Sequence, residues 1–426
     1  MFVAWVALLA ATDMRPFVDR GDVGPIDITA KADAAHISDT AGLMQAIADP
    51  AGPSTIFVER GDYVGHFVVT RPVAIVGANG AVLDGGGEGT VLRIAADDVH
   101  VDNLAIQNSG RRNTAEDAGL AAKGHRIQIS RLFIHDTLFG VILESCRDCL
   151  LERTYIHGFE GDPVLRGDGV KLWEADGSTV RECVVEDSRD LVVWYSRNVD
   201  VVRNTVRRSR YGTHYMYAHD ITARDNWYEH NIVGIFIMYA THLTAERNAL
   251  LGAAGPAGMG IGTKESESLV LRDNLIVGNT EGMYFDRSPR TPAEPIDFIG
   301  NHVALNQVAW RFHSSTNGIR VRDNDFASNI ETVSVDGGGD ALGLAVQNNY
   351  FSDYVGYDLD GDGFGDVAFE IKALSNSLVA AYPDARIFVG SFALDLVDIL
   401  GRALPLFAPR RLLVDPHPRM NPRMTL

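Results

Sequence analysis

Cysteine is scarce, with three residues in 426. That number is too small, and odd, for a disulfide-dense scaffold. Positive charge is short as well: 38 Lys and Arg stand against 56 Asp and Glu, a formal charge of −18. This balance argues against nucleic acid as a partner, because phosphate binding needs Lys and Arg. It suits a protein that attracts cations. Long apolar runs are missing too. Residues 2–11 are apolar but fall short of the roughly 20 a membrane-spanning helix needs. No tight pair of carboxylates of the kind used in acid–base catalysis stands out.

Of the cysteines, Cys146 and Cys149 form a CxxC and Cys183 stands alone. The pair reads either as a redox or metal site or as small core and turn residues; no thioredoxin-like context favours the first. Residues 1–12 resemble the apolar part of an export signal followed by small residues, although no Lys or Arg precedes them. Export is therefore expected.

Four segments follow from the pattern. Residues 1–12 are the signal-like remnant. Residues 13–55 contain a short capping helix near 38–48, started by Ser38 or Asp39 and carrying Leu43, Met44 and Ile47 on one stripe. Residues 56–355 are short β-like runs separated by Gly, Asn and Asp. Residues 356–426 form an Asp-rich loop and a closing segment.

The middle segment repeats. In residues 210–248, Gly212 and Gly234, Met216 and Met238, Tyr217 and Tyr239, and Asn226 and Asn248 each stand 22 apart. Polar residues recur in pairs five apart: Asn103 with Asn108, Arg131 with Asp136, Glu182 with Asp187, Asn204 with Ser209, Asn274 with Asn279, Asn301 with Asn306. A step of 22 is read from Glu182 to Asn204 and onward. Such a period with several strands per repeat predicts an all-β chain, a right-handed parallel β-helix with a short N-terminal helical cap and a C-terminal cap. Most of the asparagines are expected to build ladders at the turns.

One strand of each repeat starts at Gly140, Gly169, Asp190, Gly212, Gly234, Gly258 and Gly282. Residues one and three places on are mostly apolar and should point inward; Met259 and Met283 fall in the inward set. Residues two and four places on should face solvent. They include Lys171, Trp173, Trp194, His214, Met216, Phe236, Met238, Asp286, Arg311 and His313. An outer strip with Trp, Met, His and Phe marks a binding surface. Met216 and Met238 are expected on adjacent rungs ~4.8 Å apart. With His214 they offer soft donors suited to Cu(I); Met259 and Met283 are weaker candidates. Asp358, Asp360, Asp362 and Asp366 match positions one, three, five and nine of a calcium loop, but Phe369 stands where an EF-hand has Glu. Lys171, His214, Asp286, Arg311 and His313 could supply an acid–base set, spread over several rungs.

The stretches RYGTHYMYAHD and GIFIMYATHLTAERN, the run NNYFSDYVGYDLDGDGFGD (348–366) and the closing VDPHPRM (414–420) resemble the NosD family. The resemblance implies a periplasmic β-helix that is not an enzyme, partners an ABC transporter (ATPase and permease), and supplies copper for maturation of nitrous oxide reductase, taking it from a donor chaperone. Trp173 and Trp194 also suit a sugar-stacking groove. The alternative is therefore a polysaccharide-binding or lyase-like protein acting on uronate polymers. The closing segment, with Arg402, Arg410 and Arg411, is expected to cap the helix or dock on the transporter.

Overall fold

The structure is a computed structural model. It describes residues 34–423 except 160, 163–164, 314–315, 373–377, 379–381, 389–390 and 404–410. The signal-like stretch 1–12, Arg410 and the apolar residues Leu404, Leu406 and Phe407 lie outside the described residues. The chain divides between Ile232 and Val233 into two compact units.

The first unit opens with helix Thr40–Ala48. The Asp39 side chain accepts the Gly42 N–H at 2.7 Å, satisfying one of the orphan donors of the first turn. Leu43 and Ile47 are buried, and the helix packs against strand Phe67–Val69. It covers the end of the sheet, as the sequence predicts.

From there each coil contributes one strand to each of three parallel sheets. The coil of His100–Asp102, Ala105–Gln107 and Ala118–Ala122 is followed by Gln128–Ser130, Phe133–His135 and Phe139–Glu144, paired in register. The second unit repeats the arrangement from Val233–Met238 through Met259–Lys264, Glu281–Asp286 and Val308–Phe312 to Glu331–Val335. Both units are parallel β-solenoids. Strands of three to six residues suit such coils, because the chain must turn a corner after each.

Side chains sort by alternation. Val141, Leu143, Val170, Leu172, Leu191 and Val193 are fully enclosed, as are Ile235, Ile237 and Ile261 in the second unit. Glycine starts the strands because nothing larger fits: a Cβ on Gly140 would meet the Gly169 carbonyl at 2.3 Å and Ile156 at 2.5 Å.

The asparagine ladders are present. In the second unit Asn248, Asn274, Asn301 and Asn324 each donate from Nδ2 to Oδ1 of the next, at 2.9–3.0 Å, ending on Asn349. Asn279, Asn306 and Asn329 form a parallel column. The expected step from Glu182 to Asn204 is one residue too long. The Cys183 N–H donates to Asn204 Oδ1 at 3.0 Å, so Asn204 matches Cys183. Asn103, Arg131 and Glu182 occupy the preceding left-handed corner (φ 54°, 52° and 55°), which Arg203 and Asp225 fill in later coils. Leu104, Leu132, Thr154 and Cys183 take the inward place in the early coils, all buried.

The C-terminal cap is a hairpin of Phe369–Lys372 against Arg411–Asp415. Phe369 stacks on Phe351 with centroids 4.0 Å apart, and Leu413 is buried. Asp415 closes the ladder: its Oδ2 accepts both the N–H and the Nδ2–H of Asn349, at 3.0 and 2.9 Å. Arg419 then donates to Asp325 Oδ1 at 2.6 Å. Between the hairpin strands, helix Phe392–Ala403 leaves Phe392 78% exposed, with Leu396, Ile399 and Leu400 also exposed.

Candidate functional site

The outward face of the first unit is built by strands Phe139–Glu144, Val170–Trp173, Asp190–Trp194 and Tyr211–Met216. Their registers align Ile142, Lys171, Val192 and His214 in one column and Glu144, Trp173, Trp194 and Met216 in the next. The two expected outward columns are thus real, but the first is not open to solvent. His214 is only 5% exposed, and Ile142 and Val192 are buried. The reason lies in the neighbouring rings. Trp194 meets His214 edge-on at 5.5 Å and Tyr211 does so at 4.9 Å. Burial is the largest influence on the imidazole and lowers its pKa from 6.5 to about 4, so it is neutral near neutral pH. Met216, two residues on, is half-buried. Trp173 packs on Trp194 at 5.7 Å. Lys171 forms an ion pair with Glu116 and lies 5.2 Å over the Trp173 ring.

The second unit carries its own columns: Phe236, Gly262, Tyr284 and Arg311, and beside it Met238, Lys264 and Asp286. One expectation changes here. Met259 pairs with Val233 and Glu281, not with the inward set. The strand's register starts at Gly260, and the Met259 sulfur lies on the outer side, 3.1 Å from where a Gly262 Cβ would stand. Met283 does point inward and is fully enclosed beside Ile261, so no ion arriving from solvent meets its sulfur.

The acid–base set is divided between the two units. Lys171 and His214 belong to one unit; Asp286, Arg311 and His313 belong to the other. Asp286 is 3.5 Å from Lys264. Arg311 bonds Glu281 at 2.6 Å and Asp336 at 3.0 Å, and His313 Nδ1 lies 2.9 Å from Asp336.

In the acidic loop, Asp358, Asp360 and Asp362 come together. Asp366 does not join them; its Oδ2 accepts the Leu359 N–H at 2.7 Å. Asp358 accepts Gly361 and Gly363 N–H at 2.7 and 2.9 Å, the bonds of a tight Asp-Gly turn. Backbone donors also depress its pKa. Cys146 and Cys149 form a buried disulfide. Cys183 is a buried thiol whose pKa burial raises to about 12, which makes it inert.

Residues 155–356 match the family described as "Periplasmic copper-binding protein (NosD)". The chain is similar to proteins of the NosD family over most of its length. A NosD of Stutzerimonas stutzeri, named "Probable ABC transporter binding protein NosD", is 26% identical over 87% of this chain and 88% of its own length. The protein of the same name from Pseudomonas aeruginosa is 28% identical over 89% and 93%. Among solved structures, the catalytic unit of a GH87 α-1,3-glucanase from Streptomyces thermodiastaticus aligns with a TM-score of 0.57 at 16% identity, covering 78% of this chain and 71% of that one. A tailspike of Pseudomonas phage phi297 aligns at 0.50 and 13%, covering 75% and 71%. At these identities the likeness concerns the solenoid fold that this chain shares with them.

The residues that the sequence reading missed are Glu116, Tyr195 and Tyr211. Tyr195 and Tyr217 stand one place after the outward column and stack at 5.1 Å. Their 22-residue spacing with Tyr239 was the available signal.

Proposed function

We propose that this chain is a periplasmic copper-handling protein that accepts the metal as cargo and passes it toward maturation of nitrous oxide reductase, working with an ABC transporter. The observation that carries the proposal is the pairing of His214 and Met216 on one face. Burial keeps the imidazole neutral, the form that binds metal, without competition from a proton. The thioether two residues on lies on the same side. Imidazole with thioether is a soft donor set matched to Cu(I) and poor for Mg²⁺ or Ca²⁺. Met238 and Met259 offer outward thioethers on the second unit. The exposed apolar side of helix Phe392–Ala403 is the proposed contact with the transporter.

The test is Cu(I) titration of the purified chain against a competing chelator. Met216→Leu keeps the shape and removes the sulfur; affinity is expected to fall at least ~10-fold, about 1.4 kcal/mol. A Met216→Leu chain that binds like the unsubstituted one sinks the site assignment.

A further inference from the structure

A second feature of the first unit lies on the same face as the copper donors but uses other residues. A cleft of about 160 Å³ opens between Glu116, Ile142, Glu144, Lys171 and Trp173. Its floor is apolar, formed by Ile142 and the Trp173 ring. Its rim carries two carboxylates and an ammonium. Beyond Trp173 the surface continues as aromatic rings. Tyr195 lies 4.9 Å from Trp173 and stacks with Tyr217 at 5.1 Å, nearly parallel. Tyr195 and Tyr217 are 44% and 40% exposed.

Both tyrosines sit in the left-handed region, at φ 51°. A bulky side chain takes that conformation at a cost. Here it throws the rings onto the outer face beside Trp173. A row of exposed rings leading into a small polar-rimmed cleft is the layout of a ligand site.

We infer that this cleft and ring row bind an uncharged saccharide chain. The argument runs from chemistry. The apolar face of a pyranose ring stacks on an aromatic ring, which Trp173 provides in the cleft. Its hydroxyls need both acceptors and donors; Glu116 and Glu144 accept and the Lys171 ammonium donates. Tyr195 and Tyr217 stack face to face on each other, so beyond Trp173 they offer ring edges and hydroxyls to the continuing chain.

Charge selects the uncharged class. Lys171 is already paired with Glu116, and Lys123 lies 3.9 Å from Glu144. Among the described residues lining the cleft, Lys171 is the one cation and is committed to Glu116, and a uronate polymer would bring one negative charge per ring against the two glutamates. This narrows the uronate alternative drawn from the sequence to neutral hexopyranosides.

The experiment uses the full chain and its tryptophan fluorescence, with calorimetry as the second readout. The probes are cellohexaose, maltohexaose and chitohexaose, with oligoguluronate as the charged contrast. At least one neutral hexamer is expected to bind saturably, and oligoguluronate at least ~10-fold more weakly. Trp173→Ala is expected to weaken that binding at least ~10-fold, and Tyr195→Ala ~3-fold or more. Glu144→Gln, which keeps side-chain shape, guards against loss of fold and is expected to weaken binding measurably. Cu(I) binding by Trp173→Ala is expected to match the unsubstituted chain, since the ring is no copper donor in this reading. Three neutral hexamers that fail to bind, oligoguluronate that binds as tightly, or a Trp173→Ala chain that binds the sugar as before would each overturn the inference.

Discussion

At the scale of the residue, His214 links packing to proton chemistry. Its pKa is about 4 in the folded chain and 6.5 in the open one. Between those values the unfolded chain binds more protons, so the folded state gains stability as pH rises through the window. Above 6.5 the contribution is complete; it is lost as pH falls toward 4. The difference in stability between the unsubstituted chain and His214→Gln is therefore expected to slope by up to about 1.4 kcal/mol per pH unit in that window and to be flat above it. Urea unfolding at steps from about pH 4 to about pH 7 measures this. A difference independent of pH would mean that the imidazole is solvated. None of this burial was readable in the sequence, because the cover comes from Trp194 on the neighbouring strand and from Tyr211 three residues back on the histidine's own strand, and a period of two predicts neither contact. The outward direction of Met216, Trp173 and Trp194 was readable, because it depends only on a period of two. Met259 was misplaced for a local reason: Gly258, Gly260 and Gly262 alternate, and any of the three could have been taken as the strand start.

At the scale of the element, the asparagine column is the main polar device of the second unit. Asn301 donates to Asn324 and to the Leu271 carbonyl, and its Oδ1 accepts from Asn274. Asn301→Ala removes the acceptor of the buried Asn274 N–H and one bond each from Asn274 Nδ2, Asn324 Oδ1 and the Leu271 carbonyl, and is expected to cost roughly 2–4 kcal/mol, read from the denaturant midpoint. The terminal acceptor is a sharper case. Asp415→Ala is expected to destabilise by about 2–3 kcal/mol, whereas Asp415→Asn retains an acceptor oxygen and is expected to cost less than half as much. Equal losses for the two would show that the charge of Asp415, not its place in the column, matters. The repeat itself was legible from the recurring Asn and Gly residues. The one-residue slip at Glu182 was not, because two neighbouring corner positions both prefer polar residues. One is polar for its left-handed backbone and the other for its ladder, and residue type alone does not separate them.

At the scale of the molecule, each coil touches mainly the coils before and after it, so damage should stay local. Asn301→Ala is expected to raise amide exchange in the strands of residues 233–351 while those of residues 55–207 keep their protection. Uniform loss across both stretches would mean that the solenoid unfolds as one block. The ladder adds a further consequence. Every amide in the column hands its hydrogen to the following coil, so the column has a direction, like a growing polymer with one living end. Asp415 sits at that end. As a carboxylate it can only receive; it has no hydrogen to pass to another coil laid on top. The residue that completes the stack is thus also its chain-stopper. It marks the last rung and withholds the invitation that an amide there would extend to the open end of a second molecule.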